Sequence, residues 1–337
     1  MERQRKPKKF IFIWSILGAL ALVIGFFAVF FGQRIIDYYS GRDYEPTPEM
    51  AKTIAGLELT DEADLILRAV HPTIQTAEEF NQKCPNRDDE MSTLGCFSPS
   101  NNRIYIFKVE SDELSGINES VLAHELLHAI YQRMNNIERT GVNRELDTYY
   151  KEHKDLFGDY LASYSEDQYY TELHSVVGQR IKSGDLSYKL RDHYLKYFKN
   201  QDKIAGYYAK YRAVFDELKH NIESLSDEVE AMRADINEKR EKYQSNLNAY
   251  EAEVVNVRKK AEKGQFRSNA EMRAAYDRLA DWRKEVEDER LSLNEDINEF
   301  NEKVAELNVF IERNNALNRI IDSHVNSKTE GAPQETD

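Results

Sequence analysis

Two runs of apolar residues set the terms for any fold of this chain. Leu218, Ile222, Leu225, Val229, Met232 and Ile236 alternate spacings of four and three, and Tyr243, Leu247, Tyr250, Val254 and Val257 resume the pattern. A stripe of that period keeps one narrow helix face apolar, as a coiled-coil seam does. Residues 263–269 interrupt it, and a second seam follows through Met272, Leu279, Trp282, Val286, Leu293, Ile297, Phe300, Val304, Leu307 and Ile311. The first seam slips register between Ile236 and Tyr243, the second between Glu289 and Ile297; such slips mark stutters. Folding back at Gly264 sets the two slips opposite one another. The pattern therefore predicts an antiparallel helical hairpin over 201–325, with arms on the order of 80 Å at about 1.5 Å per residue. A hairpin of this kind serves as a spacer, as a docking surface for a coiled-coil partner, or as a means of homo-oligomerisation.

Upstream lies a stretch with chemistry in it. Ser120-Val121-Leu122-Ala123-His124-Glu125-Leu126-Leu127-His128-Ala129-Ile130 contains H-E-x-x-H, the motif that puts two imidazoles one turn apart on a helix beside a carboxylate. His124 and His128 can then share one metal ion, with Glu125 placed to take a proton from water. Leu122, Leu126 and Ala129 fall on the opposite side, so one helix face is expected in a core and the other at a cleft. The chain has only 8 His, and composition alone produces such a motif in on the order of one chain in a hundred. Asn118 reads as the helix N-cap, and Asn118-Glu119-Ser120 is also a glycosylation sequon.

Ahead of the motif, Thr60 caps a short helix from Asp61 to about Val70 that Pro72 stops, and Thr76 with Glu79 forms a capping box for another running into Cys84. Gly95 to Val109 reads as strand, turn, strand. A strand just upstream of the motif helix is either ordinary core or an edge onto which an extended peptide adds. Cys84 and Cys96 flank a polar, turn-rich segment and are expected to form a disulfide.

A zinc site that does chemistry needs a third protein ligand. Ser165 with Gln168 predicts a capping box opening a helix to about Lys182, and Glu172 lies mid-helix between Tyr169 and Val176 on an apolar face, where a carboxylate is costly unless paired or bound to metal. His174 points nearly opposite on the same helix; with Asp147 and Glu145 it is the alternative. His124, Glu125 and His128 followed by Glu172 resemble the gluzincin group of zinc metallopeptidases, and Gly95-Cys96-Phe97, Ala123 to Ala129 and Glu172 to Ser175 resemble poorly characterised membrane-anchored bacterial proteins of that type. The resemblance implies Zn2+ held by His124, His128 and Glu172, Glu125 as general base, and a Tyr or His oxyanion donor, for which His193 and Tyr194 are candidates.

The N-terminus adds a location. Phe10 to Phe31 carries no charged residue, enough to span a bilayer, and Arg3, Arg5, Lys6, Lys8 and Lys9 precede it. By the positive-inside rule the N-terminus is cytoplasmic and the bulk of the chain extracellular. A formal net charge of -14 argues against nucleic acid as a partner. The expected organisation is a basic head (1–9), a transmembrane helix (10–32), a linker (33–58), a metallopeptidase-like domain (59–200), the hairpin (201–325) and a disordered tail (326–337). The expected fold is mainly α with a small β-hairpin or sheet, an α+β zincin-like domain between one transmembrane helix and a long antiparallel coiled-coil hairpin. The expected function is that of a single-pass cell-membrane zinc metallopeptidase, hydrolysing peptide bonds of a protein or peptide substrate with a zinc-activated water. A different class of function is a non-catalytic surface scaffold that acts through the hairpin.

Overall fold

The computed structural model describes residues 32–85, 94–157, 161 and 164–324. The chain divides into two compact units, one of Met1–Val214 with Asn318–Asp337 and the other Phe215–Leu317.

In the first unit, helical residues 32–41 (α1) and α2 (Pro48–Gly56) precede α3 (Asp61–Ala69). The Thr60 hydroxyl accepts from the Ala63 N–H at the start of α3, and acidic residues fill its first turn, complementing the helix dipole. Strand β1 (Thr73–Gln75) follows, then α4 (Ala77–Lys83), opened by the reciprocal Thr76–Glu79 capping box. Strands β2 (Gly95–Ser98) and β3 (Arg103–Phe107) complete a three-stranded sheet in the order β1-β3-β2. β2 pairs antiparallel to β3, with Cys96 opposite Tyr105, and β1 pairs parallel to β3, with Thr73 opposite Tyr105. The Cys84–Cys96 disulfide joins the end of α4 to β2 across a Cα–Cα distance of 6.3 Å.

The motif helix α5 (Ile117–Arg133) lies against β2 and β3, α2, α3 and, from further along the chain, α7 (Glu166–Arg180). Ser120 to Leu127 and Ala129 to Tyr131 are all buried. The expected cleft-facing side of this helix is thus largely covered as well, with His128 left partly exposed. Gly116, not Asn118, precedes α5. It sits at φ 99°, the left-handed region that glycine holds without strain, and no side chain caps the helix. Ser120 of the sequon is buried, and its hydroxyl and carbonyl oxygens accept the Gln179 amide.

Beyond α5 come α6 (Asn136–Glu152), α7 (Glu166–Arg180) and α8 (Tyr188–Leu195). The Ser165 hydroxyl donates to the side-chain oxygen of Gln168 at 3.0 Å instead of capping α7. Helix α9 (Gln201–Glu262) begins in this unit, where buried Gln201 donates to the carbonyl of Gly178. The C-terminal residues return here too: Asn81 donates to the Ser323 carbonyl and accepts its hydroxyl, both at 2.9 Å, with Ser323 fully buried.

In the second unit, α9 and α10 (Asn269–Ile321) run antiparallel about the turn at Gly264. Lys239 pairs with Asp296 at 2.8 Å, Lys303 with Glu228 at 3.2 Å, and the Trp282 indole N–H donates to Asn246 at 2.7 Å. Asn246 in turn donates to Glu289 at 2.9 Å, and the Lys239–Asp296 pair shows that the stretches where the two seams slip face one another. Leu225, Val229, Ile236, Val257, Ala275, Leu279, Val286 and Leu293 form the buried seam.

The expected architecture needs correction at its N-terminal side. No helix among the described residues is long and apolar enough to cross a membrane. The two longest, α9 and α10, carry charged residues throughout. Just beyond the expected span, Asp37 of α1 is buried and paired with Arg133 of α5 at 2.8 Å. The transmembrane helix therefore does not stand as part of the fold, nor does the single-pass cell-membrane location with an extracellular bulk. Residues 10–31, on which those expectations fall, lie outside the described residues, as do the head 1–9 and the tail 326–337. The segment 33–58, expected as a linker, carries α1 and α2, with Met50, Thr53 and Leu57 buried.

Candidate metal centre

The spacing of His124 and His128 does what an α-helix requires: their Nε2 atoms are 3.1 Å apart on one face of α5. Helix α7 brings Glu172 to the same point. One carboxylate oxygen lies 3.5 Å from His124 Nε2 and the other 3.3 Å from His128 Nε2. One donor atom from each residue falls within 4.8 Å of the others. Three ligands held tetrahedrally at about 2.0–2.1 Å from one ion stand about 3.3–3.4 Å apart, so this set has a spacing that could hold one metal ion.

The electrostatics favour a cation at that point. Burial alone would raise the Glu172 carboxyl, yet the two imidazoles outweigh it and hold the group well below the usual carboxylate range. Two imidazole nitrogens and a carboxylate directed at one buried point are stable only with positive charge between them, either a proton or a metal ion.

Glu125 is buried next to this set. Desolvation pushes its carboxyl up, against the lowering effect of both imidazoles and of the Phe97 N–H that it accepts. Strand β2 therefore presents backbone to the carboxylate. It comes close because of Gly95: a Cβ there would stand 2.5 Å from Val121 Cγ1 and 2.9 Å from Glu125 Oε1. The strand-addition expectation fails at β3, which is central and flanked on both edges.

The approach of α7 to α5 is set one turn further on. At Gly178 a Cβ would meet Tyr194 Cε1 at 2.5 Å and Leu127 Cδ1 at 2.8 Å. One turn before Gly178 and on the same face of α7, His174 Nε2 lies 2.9 Å from His193 Nε2, and Tyr194 donates its hydroxyl to the His174 carbonyl at 2.8 Å. His174 thus takes no place in the triad, and His193 and Tyr194 are bonded away from it. Asp147 accepts the Tyr170 hydroxyl at 3.0 Å, and Glu145 pairs with Lys189 at 2.7 Å, so neither alternative ligand joins the site.

Three participants have roles that sequence reading misses. Gly95 and Phe97 belong to a segment that carries the resemblance, but their part beside Glu125, through backbone and an absent side chain, leaves no signal of its own. Thr171, whose hydroxyl lies 2.9 Å from His128 Nδ1, stands next to Glu172 in the chain, but its partner is 43 positions away. No protein-family model, curated protein or solved structure matches this chain.

Proposed function

We propose that the chain is a zinc-dependent metallopeptidase with a gluzincin-type ligand set: His124, His128 and Glu172 hold the ion and Glu125 is the general base. The observation that supports this best is the convergence of three donors at ligand spacing, two of them buried, with a buried carboxylate beside them on α5. Zinc in such a site supplies Lewis acidity towards a carbonyl and lowers the pKa of water.

The chain's own residues do the rest. Glu125, with its carboxyl raised by burial, takes a proton from the attacking water and delivers it to the leaving amine. Phe97 and Gly95 fix where that carboxylate sits. Substrate approaches from the side of His128, whose side chain is 17% exposed against 3% for His124. The substrate class is a peptide or protein, reached through a carbonyl polarised at the triad.

The test is zinc content by elemental analysis of the full chain, together with cleavage of a peptide library. About one zinc per chain is expected in the parent and in Glu125→Gln, and loss of it in His128→Ala and Glu172→Ala. Cleavage is expected from the parent alone. A parent that takes up no zinc under replete conditions overturns the reading, and so does a Glu125→Gln variant that cleaves like the parent.

A further inference from the structure

We infer that Thr171 is a positioning residue for the ligand His128, holding its ring by a hydrogen bond so that Nε2 faces the metal. The inference rests on the zinc reading above and extends it to a residue outside the ligand set.

A neutral imidazole carries one N–H, and the nitrogen that binds a metal must be the other one. At His128, Nε2 faces His124 Nε2 at 3.1 Å and Glu172 at 3.3 Å, while Nδ1 lies 2.9 Å from Thr171 Oγ1. With Nδ1–H donating to the hydroxyl, the Nε2 lone pair is left for the shared centre. The same helix, α7, thereby supplies the third ligand and, one residue earlier, the tether of the second.

The two histidines differ in what holds them. The His124 side chain is 3% exposed and its Nδ1 has no hydrogen-bond partner among the described residues, so packing fixes that ring. The His128 side chain is 17% exposed, and its open side needs a bond to limit rotation. Thr171 stands where that bond is required, and its backbone is held in turn, since its carbonyl accepts the Ser175 hydroxyl at 3.0 Å. Partners of this kind behind a metal-binding imidazole fix its tautomer and ring plane, and their loss costs about 10–100-fold in metal affinity.

The experiment compares the full-length parent with Thr171→Val, which keeps the shape and removes the hydroxyl, and with Thr171→Ser, which keeps the hydroxyl. Zinc affinity is read by chelator competition and the metal-free proteins by thermal unfolding. The expected result is affinity about 10–100-fold weaker in the valine variant and within about threefold of the parent in the serine variant. Unchanged affinity in Thr171→Val, whatever happens to its stability, overturns the inference and leaves the zinc reading intact. A parent without measurable zinc affinity overturns both. If the valine variant does not fold, imidazole nitrogen chemical shifts of the parent decide: protonated Nδ1 and unprotonated Nε2 at His128 are expected, and the reverse tautomer refutes the role.

Discussion

Replacing Gly178 by alanine tests whether the contact between α5 and α7 is as tight as the geometry says. An alanine in mid-helix gains about 1 kcal/mol over glycine from backbone entropy. Here the added methyl would sit 2.5 Å from Tyr194 Cε1 and 2.8 Å from Leu127 Cδ1, about 1 Å inside ordinary contact. Neither neighbour can retreat: both are fully buried, and the Tyr194 hydroxyl is fixed to the His174 carbonyl. Overpacking of such a site costs about 1–3 kcal/mol, and the pinned ring puts it at the upper end. The net expectation is a loss of about 2 kcal/mol, or a Tm about 4–8 °C lower. Since α7 carries Glu172, the same displacement is expected to weaken metal affinity at the proposed site. Gly206→Ala is the control, because nothing lies within 4 Å of a Cβ at that helical position; it raises stability by about 0.5–1 kcal/mol. Differential scanning calorimetry and chelator competition read both quantities. A Gly178→Ala protein as stable as Gly206→Ala would refute the close approach as the constraint on α7.

Gly95→Ala separates the base from the metal. The new methyl displaces the Glu125 carboxylate while leaving the ligands, so zinc content stays at about one per chain and peptide cleavage falls by about 100-fold or more. His193 governs part of the acid limb of stability: burial pushes its pKa down to about 4. The unfolded chain, with an ordinary value near 6.5, binds more protons across that interval, so the contribution is full above about pH 6.5 and is lost as pH falls towards 4. Urea unfolding at pH 7 and pH 4.5 should show a drop that His193→Gln reduces by about 2 kcal/mol. An unchanged drop would remove His193 as its source.

What the sequence discloses here is mostly local. The caps at Thr60 and Thr76, the pairing of β2 with β3 and the reach of His124 to His128 all follow from spacings of one to a few residues. Glu172 was legible because an apolar face makes a carboxylate conspicuous. β1 was not, since three residues carry no period and its partner β3 lies some thirty positions on. Gly116 displaced Asn118 as the start of α5 because backbone conformation, which a glycine alone tolerates, outranked a polar side chain. The Thr171–His128, Phe97–Glu125 and Asp37–Arg133 contacts depend on packing between distant elements, and no local pattern announces them. At the N-terminus, the residues whose hydropathy suggests a membrane span lie outside the described residues, and just beyond them Asp37 of α1 is bonded to Arg133 in the first unit.

The bond between Asn81 and Ser323 has a consequence for the order in which the protein is made. Its two ends are 242 positions apart. At a synthesis rate of about 5–20 residues per second, Ser323 is made about 10–50 s after Asn81. His124, His128 and Glu172 all leave the ribosome within that interval. His124, His128 and Glu172 are therefore all made on a nascent chain whose last fastening does not yet exist.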